Sequence, residues 1–241
     1  MLRAGPGRMA LAGLSAAALA VTGGAVAPSA DARKPVVKPT QELVRLVSAH
    51  RLVSRLGSRS RAGSVGAWRP ITGAPTVLPV LGRTTRSGVR WLRVRVPGRP
   101  NGRRAWIRQR GTVRRRTVWH VVVDTSSRRV LVYRRGRRVR SFPAIVGKPS
   151  TPTPRGRFFV EESVRMRPRS AGAPFALALS ARSNVLQSFG GGPGQIAIHG
   201  VDNIGGTPGT AVSHGCVRLA DGPIRWTAAR IDAGTPVTIR R

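Results

Sequence analysis

The chain contains one cysteine, Cys216, inside the run Ser213-His214-Gly215-Cys216-Val217-Arg218-Leu219. Upstream, the run Gln195-Ile196-Ala197-Ile198-His199-Gly200 brings a histidine within reach. A thiol and an imidazole so placed suit nucleophilic catalysis, because the thiolate is the attacking species and a base or positive neighbour must take its proton. The chemistry this arrangement fits is acyl transfer. His199 removes the proton of Cys216, the sulfur attacks a carbonyl, and the thioester passes to a second nucleophile. Backbone N–H groups of Gly215 and Cys216 are expected to hold the tetrahedral oxyanion, with His214 as a further donor. Gly200 and Gly215, beside the two reactive residues, let backbone come close to a substrate.

Other readings start from the same residues. A lone cysteine is often an inert, buried small hydrophobe, but Ser, His and Gly around this one argue against an apolar pocket. His199, His214 and Cys216 are all possible zinc ligands, yet no further cysteine or paired ligand motif completes a closed four-ligand site. No metal and no cofactor is therefore expected. A non-catalytic wall- or polyanion-binding protein is the third reading.

The elements that must position the pair are short strands. Ile196-Ala197-Ile198 delivers His199, and the loop Gly205-Gly206-Thr207-Pro208-Gly209 returns to Ser213 in a hairpin-like way. Upstream, 118–123, 130–133 and 139–146 read as a three-stranded meander separated by polar turns. Thr151-Pro152-Thr153-Pro154 forms a rigid extended loop into the strand Phe158-Phe159-Val160. Residues 166–174 read as a polar surface loop. A helix is expected from Asp221, its cap, to about Ile231, followed by a closing strand over 235–240.

The N-terminal half divides differently. Residues 1–32 read as an export signal, with Arg3 and Arg8 before an apolar stretch and cleavage expected after Ala32. Residues 33–67 read as a linker carrying an amphipathic helix, because Leu43, Val44, Val47, His50, Val53 and Leu56 fall at roughly helical spacing. Residues 57–67 look mobile. Residues 68–116 contain short alternating runs and the turn cluster Pro97-Gly98-Arg99-Pro100-Asn101-Gly102, which suggests a small SH3-like β unit. Among 241 residues there are 43 Lys and Arg against 8 Asp and Glu, a formal charge of +35, nearly all from arginine. Such a field attracts polyanions. Nucleic acid is not expected, since RNA-binding signatures and aromatic-basic stacking patterns are absent. For an exported chain the acidic polymers of the cell envelope are the partner to consider.

The runs Ile198-His199-Gly200 and Val212-Ser213-His214-Gly215-Cys216-Val217-Arg218-Leu219 resemble the active-site signature of the L,D-transpeptidases, the YkuD family. Thr153 to Phe158 resembles that family's upstream loop, and Ala233 to Ile239 resembles the close of its catalytic domain. The resemblance covers about 117–241. It implies a mainly β fold, with a β-sandwich catalytic domain and one C-terminal helix, preceded by the small β unit and the N-terminal helix. It also implies cleavage before the terminal D-alanine of a peptidoglycan tetrapeptide stem, with the acyl group passed from Cys216 to a side-chain amine of another stem as a 3→3 cross-link. Water as acceptor would instead make a carboxypeptidase. Carbapenems are implied as covalent inhibitors. Carried over onto this chain, Cys216 is the nucleophile, His199 the base, His214, Gly215 and Cys216 the oxyanion site, and Ser213 a supporting hydrogen-bond donor. Arg218 stands where some members carry asparagine and is expected to affect how a substrate carboxylate is held. Gly200 replaces a serine seen in some members, so His199 would be oriented by a backbone carbonyl.

Overall fold

A computed structural model describes residues 37–57, 61–189 and 191–241; the expected export signal lies outside the described residues. The first sheet comprises β1 (Gln41–Leu46), β2 (His50–Val53), β3 (Arg61–Val65), β4 (Val77–Arg86), β5 (Val89–Arg95), β6 (Arg104–Arg108) and β7 (Thr112–Thr117). Its order is β3-β2-β6-β5-β4-β1-β7, and every pairing is antiparallel. Val44, Leu46, Leu52, Leu78, Leu92, Val94 and Ile107 form its core.

Two expectations are corrected here. The N-terminal segment is not a helix but the strand pair β1 and β2. Val44, Leu46, His50 and Leu52 are buried at even spacing, the two-residue period of a strand, while Leu43 is buried on the opposite face. A strand buried on both sides loses its alternation, and its apolar pattern can then mimic a helical stripe. His50 is packed rather than reactive, its ring Nε2 3.1 Å from the Gly111 carbonyl. Nor is 33–67 a separate linker, because 41–65 supplies three of the seven strands, including β3 in what reads as a mobile stretch.

The second half carries β8 (Trp119–Asp124), β9 (Arg129–Arg134), β10 (Arg137–Pro143), β11 (Val146–Gly147), β12 (Gly156–Arg165), β13 (Phe175–Arg182), β14 (Gln195–His199), β15 (Ala211–Ser213), β16 (Val217–Arg218), α1 (Asp221–Ala228) and β17 (Pro236–Arg240). The large sheet runs β10-β9-β8-β17-β12-β13-β14-β16. It turns a corner within β12, where Gly156–Phe159 pair with β17 and Val160–Arg165 pair with β13, with a register shift between Val160 and Glu162. Val121, Val132 and Ile239 from one leaf share a core with Leu177, Leu179 and Ile198 from the other. This is the sandwich the resemblance implies. The meander appears as expected. The helix is shorter than its sequence suggests; Ala220 is its cap and Asp221 its first residue, paired with Arg225 at 2.8 Å. No helix among the described residues is long and apolar enough to cross a membrane.

Successive residues of β12 face different cores. Phe158 and Val160 enter the sandwich, whereas Phe159, 1% exposed, enters the core of the N-terminal sheet. Phe159→Ala is therefore expected to cost about 3–5 kcal/mol, the usual range for a buried phenylalanine, and to loosen the N-terminal sheet first. Urea unfolding followed by tryptophan fluorescence checks this; a loss under about 1 kcal/mol would show that the two halves do not lean on this ring.

Candidate active site

Strand β14 points Ile196 and Ile198 into the core and ends at His199. The return is not a hairpin. β16 lies parallel to β14, with Ile198 opposite Val217 and His199 opposite Arg218. Parallel neighbours need a crossover, which residues 200–216 provide. Cys216 immediately precedes β16, at the edge of β14, its Sγ 4.0 Å from the Gln195 carbonyl. Cys216 and His199 line one cavity of about 530 Å³, together with Ile196, Val212, His214 and Arg218.

The turn that carries the thiol is tied by Ser213. Its buried hydroxyl donates to the Cys216 carbonyl at 2.5 Å and accepts the Gly215 N–H at 3.1 Å. The Ser213 hydroxyl is thus engaged within the turn itself. Gly215 is corrected: its N–H holds the turn rather than standing free for an oxyanion, and its φ of 120° favours glycine. Behind the turn, the Lys148 N–H and the Thr151 hydroxyl donate to the Ser213 carbonyl at 2.9 and 3.3 Å. Thr153 Oγ1 accepts the Gly147 N–H at 2.9 Å. A β-carbon on Gly147 would lie 2.4 Å from the Thr151 carbonyl oxygen, so this backing loop closes only over glycine. His214 is exposed and stacks on Phe189 with centroids 5.7 Å apart.

His199 is oriented by its own neighbour. Nδ1 lies 2.8 Å from the Gly200 carbonyl oxygen. A carbonyl only accepts, so Nδ1 carries the proton and Nε2 is left as the basic nitrogen. The loop expected to be mere surface supports this ring. A β-carbon on Gly172 would stand 2.5 Å from His199 Nδ1, and one on Gly200 would stand 1.8 Å from the Ala173 carbonyl oxygen. The Gly200 N–H donates to the Gly172 carbonyl at 2.9 Å. Serine at position 200 would need this backbone to move, which accounts for glycine here. Gly172 and Ala173 were invisible as site residues in the sequence, since only packing joins them to His199.

Arg218 is 8% exposed and donates from its guanidinium to the Gly205 and Ile204 carbonyls at 3.1 and 3.4 Å. It anchors the crossover beside the cavity, and its charge reaches both reactive groups. Burial pushes the Cys216 thiol up, against smaller lowering effects from the Ala197 N–H and Arg218. Burial likewise pushes the His199 imidazole down, opposed by its bond to Gly200 and assisted by Arg218. The resting pair is therefore a neutral thiol and a neutral imidazole. An attack by this thiol would require removal of its proton, a task for which the basic Nε2 of His199 is chemically suited. Among the described residues, no three His, Cys, Asp or Glu side chains gather as metal ligands.

The fold is a β-sandwich, and one of its cavities is lined by both a cysteine and a histidine. The family model for the L,D-transpeptidase catalytic domain, YkuD, matches residues 119–239, and the chain belongs to this family. It is 33% identical over 121 residues to the putative L,D-transpeptidase YkuD of Bacillus licheniformis, covering 50% of this chain and 65% of that protein. It is 31% identical over 126 residues to L,D-transpeptidase 1 of Mycobacterium tuberculosis, covering 49% of each. The chain thus spans about half to about two thirds of these relatives' lengths. Among solved structures, an L,D-transpeptidase from Mycobacterium smegmatis is similar with 20% identity and a TM-score of 0.39, over 68% of this chain and 99% of that one. The L,D-transpeptidase LdtMt1 in complex with imipenem aligns at 21% identity and a TM-score of 0.42, over 69% of this chain and 91% of that one.

The direction of the two shifts sets a pH test. Iodoacetamide alkylation of Cys216 should climb only above the ordinary thiol value of 9.0, because the raised pKa keeps the thiol protonated. Acylation by a β-lactam should lose rate on the acid side only below 6.5, because the lowered pKa keeps His199 neutral further down. An alkylation profile with its midpoint well below 8 would instead reveal a resting thiolate–imidazolium pair.

Proposed function

We propose that the protein is an exported cell-wall L,D-transpeptidase acting on peptidoglycan tetrapeptide stems. The observation that carries this reading is the shared cavity, which both Cys216 and His199 line, with the His199 Nδ1–H committed to the Gly200 carbonyl so that Nε2 is the basic nitrogen. In the first half-reaction Nε2 takes the thiol proton as sulfur attacks the carbonyl before the terminal D-alanine. The C–N bond breaks, His199 returns the proton to the leaving amine, and D-alanine departs from the thioester. In the second, a side-chain amine of another stem gives its proton to His199 and attacks the thioester, forming the new amide and restoring the thiol. The Cys216 N–H, with the His214 side chain, is the donor set proposed for the oxyanion now that Gly215 serves the turn. Arg218, whose Nε has no partner among the described residues, gives a stem carboxylate a charged contact at the cavity.

The basic surface adds a partner. Between the two sheets a cleft of about 300 Å³ is lined by Lys38, Arg93, Arg95, Arg104 and Arg157. Arg95 is buried there, its pKa lowered to about 10 by burial and by Arg104 and Arg157. Acidic envelope polymers are the proposed counter-charge. Carbapenems are the proposed covalent ligands of Cys216.

Incubation with disaccharide-tetrapeptide, followed by liquid chromatography and mass spectrometry, tests the reaction. The wild type should release D-alanine and form the cross-linked dimer, Cys216→Ala should form neither, and His199→Ala should be slower by about 10²–10⁴-fold. D-alanine release without dimer would assign the carboxypeptidase reaction. Stem binding with neither product would make the chain a wall-binding protein.

A further inference from the structure

Between β13 and β14, Ser183, Leu186, Phe189 and Gly194 form the outer wall of the Cys216 cavity. The neck of this loop is closed by the Ser183 N–H donating to the Gly194 carbonyl at 2.7 Å. Leu186 and Phe189 project to the cavity, and Phe189 stacks on His214. Its two arms run unusually close: a β-carbon on Gly194 would stand 2.1 Å from the Leu186 carbonyl oxygen. Carbonyl oxygens from both arms therefore converge on one spot, an arrangement that repels itself unless a cation stands between them.

That cation comes from the other half of the molecule. Arg99, in the turn between β5 and β6, donates to the Ser183, Leu186 and Pro193 carbonyls at 2.7, 3.2 and 2.9 Å. Beside it, the Asn101 side-chain amide takes both backbone groups of Arg182, accepting its N–H at 2.8 Å and donating to its carbonyl at 2.7 Å. Asn101 also donates to Asn184 Oδ1 at 2.9 Å. The asparagine behaves as one more peptide unit at the end of β13, and the arginine ties the loop's two arms where they leave and rejoin the sheet.

We propose that Arg99 and Asn101 are positioning residues of the acyl-transfer site, so that the N-terminal sheet sets the shape of the stem-binding wall. Neither touches the reacting atoms. Their effect passes through residues 183–194 to Leu186, Phe189 and His214. The geometry distinguishes this from ordinary packing between halves, because six hydrogen bonds from two side chains all fall on one loop and its neck. The inference rests on the reaction proposed above only for the word substrate; the clamp itself is a property of the free protein.

The test uses the full chain and the variants Arg99→Ala and Asn101→Asp, the second keeping the acceptor but losing the donor. Hydrogen exchange without substrate is expected to speed at least 10-fold for amides of 183–194 while those of β8 and β9 are unchanged. With the tetrapeptide, KM should rise about 10-fold and kcat should fall less than 3-fold. Should Arg99→Ala fail to fold, Asn101→Asp decides alone. Unchanged exchange in 183–194, or a uniform rise across both sheets, overturns the clamp. Locally faster exchange with unchanged KM overturns its role in substrate positioning. If the wild type makes no product, the reaction proposed above has failed, and the exchange data still decide whether the clamp exists.

Discussion

Strand β12 is the constraint on which the rest depends. Neighbouring side chains of a strand must point to opposite faces, and here each face is the wall of a different core. Phe158 and Val160 belong to the sandwich and Phe159 to the N-terminal sheet. The next two residues are carboxylates buried to 1–2% exposure, and both are answered across the junction. Glu161 pairs with Arg69 and, at 3.0 Å, with Arg182, while Glu162 accepts from the Thr72 hydroxyl and N–H at 2.9 and 3.1 Å. Removing one partner of such a buried pair is costly because the other charge stays behind. Two sheets joined in this way cannot shift independently, which is why a turn on one can fix a loop on the other.

The same economy runs through the site. The pair is not held by a designed charge relay but by backbone: a carbonyl fixes the imidazole, and a serine hydroxyl fixes the turn that carries the thiol. Glycine appears where another chain segment presses in, at Gly147, Gly172 and Gly200. Burial keeps both reactive groups neutral, and Arg218 moderates that for the thiol while reinforcing it for the imidazole.

That Cys216 and His199 belong to one site was legible in the sequence because their types are scarce: one cysteine, and a histidine closing an apolar run. The meander was legible because polar turns punctuate it. What hid was set by distant partners. The strand β1 reads as helix since Leu43 packs toward the second half while Val44 and Leu46 face the first core. The strand β13 goes unassigned, its last six residues all buried and so without alternation. Arg99 meets its loop across 84 residues, and Gly172 meets His199 only through a fold-dependent contact. The parallel return to Cys216 was hidden for a related reason, as loop composition announces a turn but not the direction of the strand beyond it.

The most direct measurement of the central claim, that Cys216 is the acyl-accepting thiol of this cavity, is intact-protein mass spectrometry after exposure to a carbapenem. The account predicts one covalent adduct on the wild type and none on Cys216→Ala. An adduct that persists in Cys216→Ala, or a wild type that takes up none while its fold is intact, would contradict it.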